Sequence, residues 1–460
     1  MQADFENFLP IATKEAKASK SGEVQAIFKT YSLGVSTNRD GIVYGYNKLT
    51  LEKRVAEAIT NFNDEAERWK QAKRPVELDA FLDYAKVKWS EHLKNELKRG
   101  IPGELNEPRF RRAMYRPFDK EWLYYDALLV DRPGGFDKIL PGAADNISLC
   151  LSSPGNSKPF HALLTDCVPD LHLTGDTQCF PLYTYALDGK IRRDNVTDWA
   201  LAQFQAQYGP DVTKRDIFHY VYGLLHSPEY RERYKENLKR ELPRIPLVGG
   251  AGEDEGGEAP TPVAPPIRSN AVFGIPLPPQ AGEGLGEDES GTQAAGSPPN
   301  LHSSPGTGEG SVRSTGGGGL FRRFVVAGAA LAALHVGYEQ ADEYPLTALV
   351  SKDVPFSWRV TKMRLNKDKI AVIVNEALTL AGIPPEAFDY KLGNRSALEW
   401  VLDQYQVSTD KRSGIETDPN RADDPEYIVR LVRRVVTVSI ETVKIIKSLP
   451  PLTPMPAVLP

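Results

Sequence analysis

A run of 74 residues, 246–319, limits what this chain can fold into more than any other feature. Of 37 glycines and 36 prolines in the chain, 29 fall within it. Its pieces read AGEDEGGEAPTPVAPP, IPLPPQAGEGLGEDES and GSPPNLHSSPGTGEGS. Such a composition cannot bury enough apolar surface to offset the entropy of ordering it. The expectation is a long disordered insert between two folded parts. LPPQAGEGLGEDES and SPPNLHSSPGTGEGS look like two loose copies of one unit, as a translated mobile or repetitive DNA element would give. An interdomain tether is the other reading. The four glycines at 316–319 are not a phosphate loop, because no Lys-Ser/Thr follows them and no strand precedes them.

The insert also accounts for the charge. The chain carries 56 Lys+Arg against 61 Asp+Glu, a formal −5. The insert holds nine acidic residues and two basic ones, Arg268 and Arg313, so the other 386 residues carry +2. The folded parts are slightly basic, and charge permits a nucleic-acid partner without demanding one. A length of 460 residues with 41% hydrophobic content suits two or three domains and excludes a collagen-like or wholly disordered chain.

Three cysteines, Cys150, Cys167 and Cys179, are too few for a disulfide scaffold. No Cys-x-x-Cys pair is present, so buried free thiols are expected rather than a zinc site. The N-terminus has no cationic start followed by an apolar run, unlike a signal peptide. The apolar stretch at 324–337 (FVVAGAALAALHVG) is shorter than the 20 or so residues that span a bilayer, and reads as a packed core helix. No membrane association and a reducing cytoplasm are expected.

The periodicity predicts an α+β fold, with mixed helices and strands in the first half and a mostly helical C-terminal part. Leu51, Val55, Ile59, Phe62 and Trp69 recur at helical spacing over 51–73. Trp89, Leu93 and Leu97 mark a second helix, closed by Gly100. Segments 121–131, 146–151 and 179–186 read as strands. Helices follow from Asp216, with Ser227-Pro228 as cap and first residue of one whose stripe is Tyr230, Tyr234, Leu238 and Leu242. After the insert, a helix is expected at about 324–340 and a strand at 357–362. Ser396 and Glu399 have capping-box spacing. Asp424-Pro425 opens a last helix, although its β-branched run at 435–440 also suits a strand.

No complete catalytic motif is present. An adenine methyltransferase needs a Gly-rich loop for S-adenosylmethionine and an (Asn/Asp)-Pro-Pro-(Tyr/Phe) element for the flipped base. Neither occurs, and neither do a Walker loop, a His-Glu-x-x-His or a nucleophile elbow. His219 and His226 share a helix face but read as packed among Tyr220, Tyr222 and Leu225, so no metal is assigned. Several loops carry groups that bind nucleic acid. These are Thr37-Asn38-Arg39-Asp40, the cluster Arg109, Arg111, Arg112 and Arg116, the turn Gly155-Asn156-Ser157-Lys158-Pro159, and the loop Lys411-Arg412-Ser413-Gly414. A solvated charged face or plain turn chemistry explains each of them as well.

Five segments together resemble one family. They are FLPIATKEAKASKSGEVQAIFKTYSLGVSTNRDGIVYGYN (8–47), MYRPFDKEWLYYD (114–126), QCFPLYTYALDGKIRRDNVTDWAL (178–201), DIFHYVYGLLHSPEYRERYKENLKRELPRIP (216–246) and YKLGNRSALEWVLDQYQVSTDKRSGIETDPNRADDPEYIVRLV (390–432). They are similar to the C-terminal part of Type ISP restriction–modification enzymes. Those are single chains that carry a nuclease, a helicase-like translocase, a coupler, an adenine-N6 DNA methyltransferase and a target-recognition domain. The resemblance implies five regions. Residues 1–75 would be the end of the methyltransferase module and 76–245 the first part of the recognition domain. The insert would occupy 246–319, the helical second part 320–449 and a Pro-rich tail 450–460.

The function implied is sequence-specific recognition of double-stranded DNA. The parent activity is site-specific adenine-N6 methylation and restriction, with S-adenosylmethionine as the parent enzyme's cofactor and none in this chain. Two alternatives stand beside it. One is the specificity half of a split adenine-specific methyltransferase, partnered by a separately encoded methyltransferase or nuclease half. The other is an inactive remnant. Candidate DNA-binding residues are Asn38, Arg39, Ser157, Lys158, Asn394, Arg395, Lys411 and Arg412, with no catalytic or metal-binding residue among them. If Arg39 reads a base edge, Arg39→Ala weakens DNA binding by about 1–3 kcal/mol.

Overall fold

The computed structural model describes residues 2–19, 24–74, 77–142, 145–249, 317–411 and 414–455. The expected insert falls mostly on 250–316, outside the described residues, and so does Arg412. The fold is α+β, as the periodicity implies.

Residues before the insert build two four-stranded sheets. In the first, the strands lie in the order Tyr44–Gly45, Asp119–Tyr124, Phe110–Arg116 and Val168–Pro169. In the second, the order is Ser32–Leu33, Thr177–Pro181, Ser148–Ser152 and Ala162–Thr165. Every residue of the last two strands is buried. Cys150 lies opposite Cys179 with the sulfurs 3.9 Å apart, and all three cysteines are buried free thiols.

The helix Lys48–Gln71 buries Leu51, Val55, Ile59, Phe62 and Trp69, the stripe that spacing predicts. Asn47 caps it by accepting from Thr50 N at 3.0 Å. The helix Glu91–Arg99 is capped by Ser90 and ends on Gly100 in the left-handed region at φ +71°.

The two sides of the insert share one core. Each of the two large apolar clusters draws residues from before 250 and after 316. Helix Lys214–Leu225 and helix Gly317–Val336 cross at glycines. A Cβ on Gly223 would lie 2.4 Å from Phe324 O, and one on Gly328 only 1.8 Å from His219 O. Backbone-to-backbone approach of this kind requires a residue without a side chain. Among the described residues Gly317–Val336 is the one helix long and apolar enough to cross a membrane, and it is half buried within the fold. Phe321, Phe324, Leu331 and His335 on it are fully buried.

Several boundaries differ from the expectation. Leu247–Val248, at the start of the Gly/Pro-rich run, is a strand paired antiparallel with Pro454–Met455 from the Pro-rich tail. Both residues are buried, as is Leu452. An apolar pair flanked by prolines and glycines suffices here because a partner strand supplies the hydrogen bonds. Glycines 317–319 begin the core helix rather than end the insert.

The strand expected at 357–362 does not form. Asn375 Nδ2 donates to Ser357 O and Arg359 O, and the Asn420 side chain bonds both backbone groups of Val360. Side chains thus take the partners that a ladder would have used. A four-stranded sheet instead orders Thr347–Val350, Leu378–Ala381, Ala371–Ile373 and Arg364–Leu365. The stripe from Tyr230 splits into two short helices, Pro228–Arg233 and Lys235–Leu238. The β-branched run near the C-terminus is helical throughout Tyr427–Lys447. Its buried Ile428, Leu431, Val432, Val435 and Val438 recur at helical spacing, and that burial outweighs the weak strand preference.

Candidate functional site

Four of the candidate residues meet. The turn after Ser148–Ser152 carries Ser157 and Lys158, and Asn156 Oδ1 accepts from Lys158 N at 2.9 Å to set its shape. The hairpin Lys391–Leu392 to Arg395–Ser396 has Gly393 and Asn394 as its two-residue turn. Gly393 sits at φ +67°, as the first central position of such a turn favours. A Cβ on Gly393 would lie 3.6 Å from Lys158 Cδ and 3.9 Å from Thr174 Cβ, so the hairpin rests on the Lys158 side chain.

Trp400 joins the two segments. Lys158 Nζ lies 5.9 Å from its ring centroid and Arg395 Cζ lies 5.1 Å from it. The indole Nε1 donates to Leu392 O at 3.0 Å, which fixes the ring beneath the hairpin. Lys158 Nζ also donates to Thr174 O, and Arg395 pairs with Asp403 at 2.5 Å. Burial, then the repulsion of Arg395 and Arg116, lowers the Lys158 pKa. Ser157 and Asn394 are exposed at the rim, and Arg395 and Lys158 are half-buried. The arrangement presents two cations, an amide and a hydroxyl beside an aromatic platform, groups suited to phosphate and to base edges. Ser396 and Glu399 close the capping box behind it, so the helix Ala397–Gln404 carries Trp400 at a defined angle. The sequence reading missed Trp400. Its position in a capped helix gave only a structural signal.

The other candidates lie elsewhere. Asn38 is exposed in the left-handed region at φ +58°, and its Nδ2 donates to Asp131 Oδ2 at 3.2 Å. Lys411 is exposed in the hairpin between Ser408–Thr409 and Glu416–Thr417. A Cβ on Gly41 would lie 3.9 Å from Ile415 Cδ1 of that hairpin.

Arg39 is buried, contrary to the expectation of a DNA contact. It is 2% exposed, and its two terminal nitrogens donate to Leu129 O, Asp131 Oδ1 and Ser90 Oγ, each at 2.8 Å. A guanidinium committed to three internal acceptors cannot also read a base. The arginine cluster is likewise paired inward. Arg109 and Arg111 share Asp137, Arg112 donates to Lys120 O, and Arg116 pairs with the buried Asp170 at 2.9 Å.

Asp119 and Glu121 lie near these arginines, 0% and 4% exposed. Neither Asp119 oxygen meets hydrogen-bond geometry. Burial raises its carboxyl to about 7, against the pull of the nearby Tyr46 hydroxyl and of Arg116 and Arg112. Burial and Asp119 also hold Glu121 well above the usual carboxylate range. A carboxyl raised in the folded state contributes stability below its unfolded pKa and loses it as pH rises through the folded value. Asp119→Asn should therefore flatten the decline in thermal midpoint between about pH 4 and pH 8, and raise the midpoint at pH 8. A lower midpoint for the variant at pH 8 would show that the charged carboxylate is stabilised where it stands.

His219 and His226 are packed as spacing suggested. Burial first, then Arg215, lowers His219 to about 4, and His226 Nδ1 donates to Tyr222 O at 2.9 Å. Among the described residues no group of His, Cys, Asp or Glu could hold a metal ion.

The chain is similar to solved structures of larger proteins. One is a nuclease-deletion mutant of the Type ISP restriction-modification enzyme LlaGI in complex with a DNA substrate mimic (27% identity, TM-score 0.73, 99% of this chain and 35% of that one). Another is the ATP-dependent Type ISP restriction-modification enzyme LlaBIII bound to DNA (25% identity, TM-score 0.75, 99% and 25%). A third is a DrdV–DNA complex (31% identity, TM-score 0.73, 98% and 39%). The chain spans between a quarter and two fifths of the length of these relatives. No curated protein matches it. The profile of the Type ISP C-terminal specificity domain matches residues 26–251 and 315–431. Because that match takes in most of the chain on both sides of the insert, this protein belongs to the Type ISP C-terminal specificity domain family.

Proposed function

We propose that this chain recognises a specific site on double-stranded DNA as the specificity domain of a Type ISP restriction–modification enzyme. The family match on both sides of the insert carries the reading, and the DNA-bound state of the solved relatives supports it. In the whole enzyme, holding the duplex in one register presents one adenine for N6 methylation and directs restriction to unmodified sites. This chain's part is to bind and orient. S-adenosylmethionine has no site on it, since the sequence holds neither the Gly-rich loop nor the Asn-Pro-Pro-Tyr element. A cytoplasmic location accompanies the proposal.

Ser157, Lys158, Asn394 and Arg395 form the principal contact, with Asn38 and Lys411 as outlying ones. Asn394 and Ser157 stand at the rim, where base edges are reached, and the cations suit the phosphates. Phosphate contacts release counterions, so duplex affinity should fall steeply with salt. Gel retardation of a mixed-sequence duplex at about 50 mM and 200 mM salt tests this. Retardation that weakens at the higher salt is expected, and none at the lower salt would sink the proposal.

A further inference from the structure

Beneath the hairpin that carries Asn394 lies a cluster of three histidines, a tyrosine and an arginine. Tyr390 immediately precedes the strand Lys391–Leu392, and its ring stacks on His335 at 5.1 Å and 6°. His335 lies 5.6 Å from His226, ring to ring. Tyr390, His161, His226 and His335 are all at least 98% buried. Among the described residues the Tyr390 hydroxyl has no hydrogen-bond partner. His226 Nε2 has none either, but with Nδ1–H given to Tyr222 O it is an acceptor.

Arg231 reaches the same region from the helix Pro228–Arg233. Its Nε donates to Leu225 O at 2.6 Å and its guanidinium lies 5.8 Å from the Phe160 ring. Among the described residues its terminal nitrogens have no hydrogen-bond partner and no carboxylate pairs with it. Burial lowers it to about 10, opposed only by the Tyr390 and Tyr222 hydroxyls. Burial first, and then Arg231, holds His161 and His335 down at about 3. Lys158 closes the region from above through Thr174, whose Oγ1 lies 3.2 Å from His161 Nδ1. Lys158 has no carboxylate partner among the described residues either.

A guanidinium set in the fold with free donors, in one cluster with an orphaned hydroxyl and a second cation, has the chemistry of an oxyanion site. We propose that Arg231, Tyr390 and Lys158 form a pocket for one phosphate, and that in the DNA complex a backbone phosphate beside the hairpin fills it. This rests on the DNA reading for the source of the phosphate, but not for the pocket. Arg231 can present its fork bidentately, with Tyr390 donating from the floor and Lys158 from the mouth.

The full chain, Arg231→Gln and Tyr390→Phe are compared in two assays. One is thermal unfolding in inorganic phosphate against chloride at equal ionic strength. The other is duplex affinity across a salt series. Phosphate should raise the melting temperature of the wild type and not of Arg231→Gln. Duplex affinity should drop about ten- to hundredfold in Arg231→Gln, with a salt slope shallower by about one. Tyr390→Phe should lose part of both responses while keeping its stacking on His335. It carries the test should Arg231→Gln not fold. A phosphate response lost in the variants with unchanged duplex affinity would overturn the DNA-backbone contact and assign the pocket to free phosphate. Wild-type phosphate stabilisation without duplex binding would leave the pocket standing and remove the DNA reading. No phosphate response and unchanged duplex affinity in both variants would overturn the pocket itself.

Discussion

Gly328→Leu is expected to cost the protein at least about 3 kcal/mol of unfolding free energy, the upper end of what overpacking a core exacts. A Cβ at this position would sit 1.8 Å from His219 O, where real contacts need more than 3 Å, and the obstacle is backbone rather than a side chain that can rotate away. Helices Lys214–Leu225 and Gly317–Val336 would have to separate, opening the cluster formed by Tyr220, Phe321 and Phe324. Because these helices lie on opposite sides of the insert, the change strikes the contact that makes the chain one body. Gly223→Ala, with its Cβ 2.4 Å from Phe324 O, should act in the same direction with a smaller effect. Gly318→Ala is the control. Nothing lies within 4 Å of its Cβ, so it should gain up to about 1 kcal/mol from helix propensity alone. Urea unfolding midpoints for the three variants decide the matter. A wild-type midpoint for Gly328→Leu would mean that the helices do not approach as closely as described.

This crossing also shows what the sequence could and could not reveal. The apolar stretch at 324–337 is visible as a core helix, because its composition alone requires burial. Nothing in the chain pairs Gly328 with Gly223, more than 100 positions away, since each glycine looks like an ordinary weakness in its own helix. Local signals transferred well: Ser396 and Glu399 form the capping box their spacing implies, and Gly100 ends its helix with a positive φ. Short elements did not. The strands of the sheet spanning Thr347–Val350 to Leu378–Ala381 run to two to four residues, too few for an alternating pattern to register. The site was half legible for the same reason. Lys158 and Arg395 each stood out as polar candidates, but their meeting on Trp400 is a product of tertiary packing. Arg39 and the cluster from Arg109 to Arg116 misled because composition gives charge and not direction. In the fold Arg109 and Arg111 pair with Asp137 and Arg116 pairs with Asp170.

Arg39→Ala is expected to destabilise the fold by about 3 kcal/mol while leaving the duplex affinity of the folded fraction unchanged. The figure is the lower end for removing one partner of a buried ion pair. The lower end applies because Asp131 keeps bonds from Ser90 Oγ at 2.9 Å and Asn38 Nδ2 at 3.2 Å, and is 15% exposed. The change also removes the bonds that Arg39 makes to the N-cap Ser90 of helix Glu91–Arg99 and to the backbone at Leu129. Leu129 O then has no donor in a buried position, which adds to the loss. Arg39→Lys should recover only part of it, because one ammonium cannot serve three acceptors arranged for a planar fork. Unfolding free energy and the salt slope of duplex binding are measured on the same preparations. The buried role requires a large change in the first and none in the second. Stability within about 1 kcal/mol of wild type, together with a tenfold loss of affinity, would instead return Arg39 to the DNA contact.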